Sequence, residues 1–451
     1  MAAQNSLWQQ KIESLLNLHP KKVDLSLGRM TRLLQALGNP HLRLPPVIHI
    51  AGTNGKGSAA GFARAMLEAA GHSVHVHTSP HLVHWRERYR LGWKDKNGAH
   101  SAYCDDAALA ETLAAVTKAN AGQAVTVFEI ITAAAFVLFA RRPADALVLE
   151  TGLGGRFDAT NVIPKPAVSL IMPITRDHEA FLGASLAHIA AEKAGIIKPY
   201  CPVVLGPQPH AAALAVLKRA AAENQAPAVL YGRDYSADAG DRHWLFRNAG
   251  GAMRLPLPAL PGNFQTGNAA AALQALTAAG FAIAPAAAAR AMRRVYWPAR
   301  LQKLTRGRLR RLVPPDADLW LDGGHNPAAA QAVAMSLAPL VRGRPFFMIL
   351  AMLQNKDSRG YMQQFLPLAP QIYTVPLADS HLGVPPAALA QKARALGLTA
   401  SAAPSVAAAL AAIAKAAANN GSPDDRPAFI LISGSLYLAG DVLAQNGTPP
   451  R

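Results

Sequence analysis

Short apolar runs followed by alanine-rich stretches recur from residue 45 to the end of the chain, and this alternation limits the possible folds more than any other feature. VIHIAG (47–52), SVHVHTS (73–79), ALVLETG (146–152), VSLIMPI (168–174) and PVVLG (202–206) read as strands, and SAAGFARAMLEAAG (58–71) reads as a helix closed by Gly71. Strands separated by helices pair in parallel, because a crossover helix returns the chain to the same end of the sheet, and such a sheet is covered on both faces. Residues 226–257 break the rhythm and predict an antiparallel meander appended to that sheet, followed by helices over 264–280 and 284–294. The pattern restarts after VYWPARLQ (295–302) with LWLDGG, FFMILAM, QIYTVPL and AFILISGS, which places a domain boundary there. The expected class is α/β, with a mostly parallel sheet in each of two units, residues 1–297 and 298–451.

Composition agrees with two full cores: 51% of the residues are hydrophobic and 16% charged, which excludes a chain disordered by composition. Cys104 and Cys201 are the only cysteines, so a reducing compartment is expected. The N-terminus lacks the basic start and long apolar run of a signal peptide. The longest apolar stretch, 130–140, stops at Arg141 and Arg142, short of the roughly 20 residues a spanning helix needs. A cytoplasmic protein without membrane contact is therefore expected. The 45 Lys+Arg against 27 Asp+Glu leave a net charge of +18, a field that draws anions. Nucleic acid, acidic membrane and small polyanionic substrates all carry that sign.

The sharpest local signal is HIAGTNGKGS (49–58), a strand that runs into Gly52, Gly55, Lys56, Gly57 and Ser58 just before a helix. Glycines let backbone N–H groups turn toward a phosphate, Lys56 adds a point charge, Ser58 can reach Mg²⁺, and the helix N-terminus contributes its dipole. The spacing is shorter than the usual phosphate-loop form, and a plain glycine-rich turn is the alternative. ETGLGGRFDATN (150–161) begins at a strand end, where Glu150 would share the rim with the glycine loop, and Arg156 and Asp158 follow. RDHEAFLG brings Asp177 and His178 to the same rim, and EKAG supplies Glu192 and Lys193 from the next helix. The histidine-rich stretch 71–85 puts His75 and His77 on one strand face and Val74 and Val76 on the other; without a closed set of four ligands, rim polarity from Ser79 and His81 fits better than zinc. In the second unit, LDGGHNP (321–327) brings Asp322 and His325 to a strand end, and Lys356 and Asp357 end the next strand. Polar groups on both units suggest a cleft between them.

Taken in order, AGTNGKGS, SPHL (79–82), TVFE (126–129), GLGGRFDATN, the DH with its EKAG, PARLQ (298–302), DGGHNP, NKD and SGSLYL (433–438) closely resemble the dihydrofolate synthase/folylpolyglutamate synthase family, relatives of the Mur ligases. The resemblance spans essentially the whole chain. It implies a phosphate-loop type central domain like that of the Mur ligases, holding ATP and pteroate or folate, and a smaller Rossmann-like α/β C-terminal domain. It further implies an acid–amino-acid ligase that joins L-glutamate to 7,8-dihydropteroate and to reduced folates at the expense of ATP, through an acyl phosphate. By the same resemblance Gly52, Thr53, Asn54, Gly55, Lys56, Gly57 and Ser58 hold the ATP phosphates, with Gln265, Asn268, Arg300, Asp322 and His325 completing the nucleotide site. Ser58, Ser79, Glu150 and His178 surround Mg²⁺, with a monovalent cation as a further option. Lys193 carries a carbamate, and it acts in catalysis with Lys56 and His178. The pteroate pocket is assigned to Asp24, Leu25 and Ser26, to Thr126, Phe128 and Glu129, and to Phe157, Asp158 and Ala159. Phe128 would stack on the pterin and Asp158 would accept its ring N–H groups.

The chain departs from the family pattern at Ser26, Phe264, Ala299 and Gly324, where Gly, His, Gly and Ala are usual, and a basic insert occupies 304–319. A Mur-type ligase of cell-wall precursors is one alternative, although only about fifty residues precede the glycine loop, too few for a nucleotide-sugar domain. A basic nucleic-acid-binding ATPase is another; the scattered basic residues carry no nucleic-acid signature, and no nucleic-acid partner is expected. The enzyme is expected to act as a monomer.

Overall fold

The computed structural model describes residues 26–183, 185–378, 383–419 and 426–451. Asp24 and Leu25 lie outside the described residues. The first sheet is built from β1 (Val47–Ala51), β2 (Val74–His77), β3 (Tyr89–Asp95), β4 (Gly98–Tyr103), β5 (Ala146–Glu150), β6 (Val168–Ile171), β7 (Val203–Leu205) and β8 (Ala228–Leu230), in the order β4-β3-β2-β5-β1-β6-β7-β8. From β2 to β8 every pairing is parallel, while β3 and β4 add an antiparallel hairpin at one edge.

Each central strand buries both faces. Ile48 and Ile50 of β1 pack into one core with Val74 and Val76 of β2 and Val148 of β5, whereas Val47, Leu147 and Leu149 pack into the core on the opposite face. Three helices cover the first face, Lys56–Ala69, Gln265–Ala278 and Pro285–Arg294. The run of buried alanines from Ala269 to Ala272 presents no bulk that would hold the second of these away from its neighbours. Asp106–Asn120 and Val127–Ala140 cover the other face.

The segment 226–257 divides differently from the sequence expectation. Ala228–Leu230 joins the main sheet as a parallel edge strand, and only β9 (Tyr235–Ala239), β10 (His243–Asn248) and β11 (Gly251–Pro256) form the meander, as a separate three-stranded sheet. Trp244 and Phe246 anchor that small sheet in the first core.

The third sheet combines β12 (Gln302–Lys303), β13 (Asp318–Leu321), β14 (Phe346–Leu350), β15 (Gln371–Thr374), β16 (Ala400–Ala402) and β17 (Phe429–Ser433) in the order β12-β13-β17-β14-β15-β16. It is parallel apart from β12. Apolar packing ties this lobe to the first at the segment after β2. Leu82 and Val83 pack against its core, with Gly440 so close to the Leu82 carbonyl that a side chain there would collide with it. At the end of the first unit, Trp297 lies on Gly57 and Gly61, whose missing side chains leave room for the indole. The carboxyl ends of β1, β5 and β6 thereby face those of β13, β14 and β17 across one cavity of about 1500 Å³. No described helix is long and apolar enough to cross a membrane.

Candidate active site between the two sheets

The glycine loop leaves β1 with Gly52 at φ 151° and Gly55 at φ 85°, and the helix starts at Lys56, so Lys56, Gly57 and Ser58 form its first turn. Thr53 pins the loop to the strand beside it: its hydroxyl donates to the Thr175 carbonyl at 3.0 Å and accepts from the Thr175 N–H at 3.2 Å. Gly55 rests against Asn268, which accounts for an asparagine at that point of the helix Gln265–Ala278. Asn268 lines the cavity; Gln265 does not, lying fully buried behind it and accepting from the Asn268 amide at 3.0 Å. Lys56 folds back to donate to the Gly52 carbonyl at 2.9 Å, and burial lowers its pKa against the opposing pull of Glu150 and Asp177.

Glu150, at the end of β5, is buried, and its carboxylate accepts one long hydrogen bond, from the Ser79 N–H at 3.4 Å. Burial raises its pKa, while Lys56 and then Arg300 oppose the rise. His178 sits in the left-handed region at φ 54° and is shifted down to about 4, first by burial and then, against Asp177, by Lys356 and His325. It is therefore a neutral imidazole at pH 7. Ser58, Ser79, Glu150 and His178 all line the cavity and offer hydroxyl, carboxylate and neutral imidazole, the donor set suited to a hard divalent cation held with a nucleotide.

Lys193 is 5% exposed and points into the same space, where its Nζ donates to the Gly52 carbonyl at 3.0 Å. Burial, then the Lys56 charge, brings its pKa down to about 7. Its helix is pressed against the loop after β5. Side chains at Gly155 and Gly195 would strike backbone of the opposite segment, at 2.7 Å from the Glu192 carbonyl and 2.4 Å from Arg156 Cα respectively. Asn161 stitches the two together through the Arg156 and Gly195 carbonyls at 2.9 and 3.0 Å. Gly195→Ala is expected to cost about 1–3 kcal/mol through overpacking, read as a lower urea midpoint at unchanged m.

The pteroate residues assigned from the sequence divide into two groups. Ser26, Phe128, Phe157 and Ala159 line the cavity, and Phe128 lies on Gly152, where a side chain would meet its ring. Thr126, Glu129 and Asp158 also line it, yet their polar atoms have partners in the protein. Thr126 and Glu129 form a capping box at 2.6 and 3.0 Å, and Arg29 donates to Glu129. Asp158 accepts from the Leu153 N–H at 2.8 Å and from the Thr160 N–H and hydroxyl at 3.0 and 2.6 Å. Because the Thr160 hydroxyl donates to Asp158, it must accept from His49 Nε2 at 2.9 Å. The histidines of β2 are core residues: His75 stacks on Phe139 and His77 packs against Tyr89.

The second lobe contributes Arg300, Asp322 and His325. Asp322 accepts from Leu301 N–H at 2.9 Å and Gly324 N–H at 2.7 Å, and a side chain on Gly324 would lie 2.8 Å from its Oδ1. The unusual glycine thus fits its surroundings. Ala299 adopts φ 54°, a conformation that suits the glycine usual there. The densest contact between the lobes centres on Asp177. It accepts from Lys356 Nζ and from Asn326 Nδ2 at 3.0 Å, and His325 Nε2 lies 3.3 Å away. Asn326 also exchanges hydrogen bonds with Asn54 of the glycine loop at 3.0 and 3.2 Å. Burial would raise the Asp177 pKa, but the hydrogen bond and charge of His325, then Lys356 and His178, hold it well below the usual carboxylate range.

Known proteins share this architecture. The family model for the Mur ligase glutamate ligase domain matches residues 307–436. The protein of Escherichia coli K12 named dihydrofolate synthase/folylpolyglutamate synthase is 32% identical over 367 residues, covering 80% of each chain. The chain belongs to the dihydrofolate synthase/folylpolyglutamate synthase family. Like the named members, it is a ligase that forms C–N bonds. The structure of E. coli FolC in complex with DHPP and ADP matches with a TM-score of 0.82 and 29% identity, covering 97% of this chain and 96% of that one. A bifunctional folylpolyglutamate synthase/dihydrofolate synthase solved with Mn, AMPPNP and L-glutamate bound matches with a TM-score of 0.80 and 26% identity, covering 97% of each chain. In this synthase the contacts that sequence reasoning missed are those between lobes: Asn326 to Asn54, and Lys356 to Asp177. Lys356 stood out only as a charge at a strand end, and no local pattern announces its partner.

Proposed function

We propose that this synthase uses ATP and a divalent cation to join L-glutamate to 7,8-dihydropteroate and to reduced folates. The observation that carries this reading is the convergence, in one cavity, of a glycine phosphate loop, a buried carboxylate with a neutral histidine, and a buried amine shifted to about 7. A substrate carboxylate oxygen attacks the γ-phosphorus and ADP leaves; the glutamate amine then attacks the acyl carbon, phosphate leaves from the tetrahedral intermediate, and the amine proton is lost. Barrier lowering here is mainly positioning and charge neutralisation. The loop N–H groups and Lys56 bind phosphate oxygens, and the inter-lobe contacts at Asp177 keep the two rims together.

The donor set of Ser58, Ser79, Glu150 and His178 fits a divalent cation, since Glu150 is buried with a single weak donor of its own. When bound with the nucleotide, that ion supplies further neutralisation of phosphate charge. Lys193 is read as the carbamylated lysine. Its neutral amine attacks the carbon of CO₂, the displaced electron pair moves to oxygen, and the amine proton leaves to solvent. The product is an anion beside Lys56, where the unmodified ammonium would repel it. Phe128 and Phe157 supply apolar walls for the pteroate rings, whereas Asp158 shapes the loop that presents Phe157.

Phosphate release with MgATP and L-glutamate, compared between 7,8-dihydropteroate and reduced folates, tests the reading. Release with one or both acids is expected, and release with neither would overturn it. Glu150→Gln is expected to lower that release roughly 100-fold or more and to raise the Mg²⁺ concentration required for half-maximal rate.

A further inference from the structure

A buried cation that lines the cavity has no ion-pair partner among the described residues. Arg88 ends the short 3-10 turn Trp85–Arg88 and is 8% exposed. Its Nε donates to His81 Nδ1 at 2.9 Å, which fixes His81 as the Nε2–H tautomer, and its guanidinium lies over the Trp85 ring at 4.8 Å. The adjacent Glu87 is not its counter-ion, because both carboxylate oxygens accept backbone N–H groups, from Leu82, Val83 and His84. His81 is no substitute, because an imidazole whose Nδ1 accepts this hydrogen bond carries no negative charge. Among the described residues no carboxylate comes within ion-pair distance of Arg88, and Nε is its only side-chain nitrogen with a protein acceptor.

A guanidinium buried this way, with one hydrogen bond, one ring face and no ion-pair partner, is only partly compensated for its loss of water. Arg88 lines the cavity together with Ser79, Glu150, Phe128 and Tyr437, so this residue borders the reaction space. The geometry points to Arg88 as the seat of a substrate carboxylate. Phosphates are served by the glycine loop and Lys56, while the planar guanidinium fork matches a planar carboxylate. Stacking on Trp85 and the bond to His81 fix the orientation of the fork before substrate arrives. This inference rests on the ligase reading above, and that reaction presents the same chemistry from two sources, the pteroate-type acid and L-glutamate.

The test compares Arg88→Met and Arg88→Lys with the wild-type chain, measuring equilibrium binding of L-glutamate and of pteroate to protein loaded with AMPPNP and Mg²⁺, together with Tm. Arg88→Met is expected to weaken binding of one of the two carboxylates by roughly 10- to 100-fold, with AMPPNP affinity unchanged and Tm unchanged or raised. Arg88→Lys should recover part of the affinity, because it keeps the charge and loses the fork. The acid that is weakened identifies the source. Unchanged affinity for both acids would overturn the assignment, and with a lowered Tm would make Arg88 a prop for His81 and Trp85. A wild type that binds neither acid would also overturn it. If the wild type binds the acids yet releases no phosphate from MgATP, the ligase reading falls, while the comparison of affinities still decides the role of Arg88.

Discussion

Lys193→Met is expected to abolish most ligase activity, by at least about 100-fold, and at the same time to leave a more stable protein at pH 7 in CO₂-free buffer. The two effects have one origin. Among the described residues the amine has a single acceptor, the Gly52 carbonyl; burial and then the Lys56 charge disfavour its protonated form and bring the pKa from 10.5 to about 7. An unfolded chain therefore binds a proton at this position that the folded one releases, between about pH 7 and 10.5. In that window stability rises with pH, and below it the full penalty is present, on the order of a few kcal/mol. The methionine variant lacks this slope, so its advantage in Tm should be largest near pH 7 and vanish toward pH 10.

Bicarbonate adds a second arm. Carbamylation converts the repelled ammonium into an anion beside Lys56, so wild-type Tm and activity should both rise with dissolved CO₂, while the variant responds in neither. Short carboxylic acids that fit the vacated space should restore part of the variant's activity. Full activity in Lys193→Met would remove the residue from the mechanism.

Much of this site was legible because the alternation of strands and helices fixes which residues occupy strand ends. Glu150 and Asp322 reach the cavity for that reason, whereas His178, seven residues past β6, is brought there by the turn that follows the strand. What stayed hidden depends on more than one segment at a time. TVFE has the sequence form of a helix capping box, yet the resemblance directs attention to substrate contacts, and the structure shows Glu129 holding the cap and Arg29. The hairpin of β3 and β4 has its signal in Asn97–Gly98, masked by neighbouring charges that disguise the strands. The sequence places His75 and His77 on one strand face without saying what satisfies them; backbone carbonyls of Arg142 and Arg88 meet one nitrogen of each. The placement of one lobe against the other draws on Leu82 and Val83, apolar residues whose partners in the second core no periodicity reveals, and on the junction at Asp177.

The most damaging single change predicted for the fold is at that junction. Asp177→Ala leaves Lys356, whose side chain is 6% exposed, without its counter-ion, and removes an acceptor from Asn326. Breaking a buried pair from one side costs about 3–5 kcal/mol, which should appear as a large fall in the urea midpoint. Lys356→Met should cost less, because Asp177 keeps Asn326 and His325. The double variant should be more stable than Asp177→Ala alone, since it no longer buries an unpaired charge. The pH dependence has a fixed sign: the folded carboxyl is held below its ordinary 3.8, so its contribution is complete above that value and is lost as pH falls through the folded value. Asp177→Ala should therefore flatten the acid limb of the stability curve below pH 4. Asn326 and Asn54 tie the same junction to the glycine loop, so a loosened junction should also weaken ATP binding. Additive costs in the double variant would show that Asp177 and Lys356 act separately.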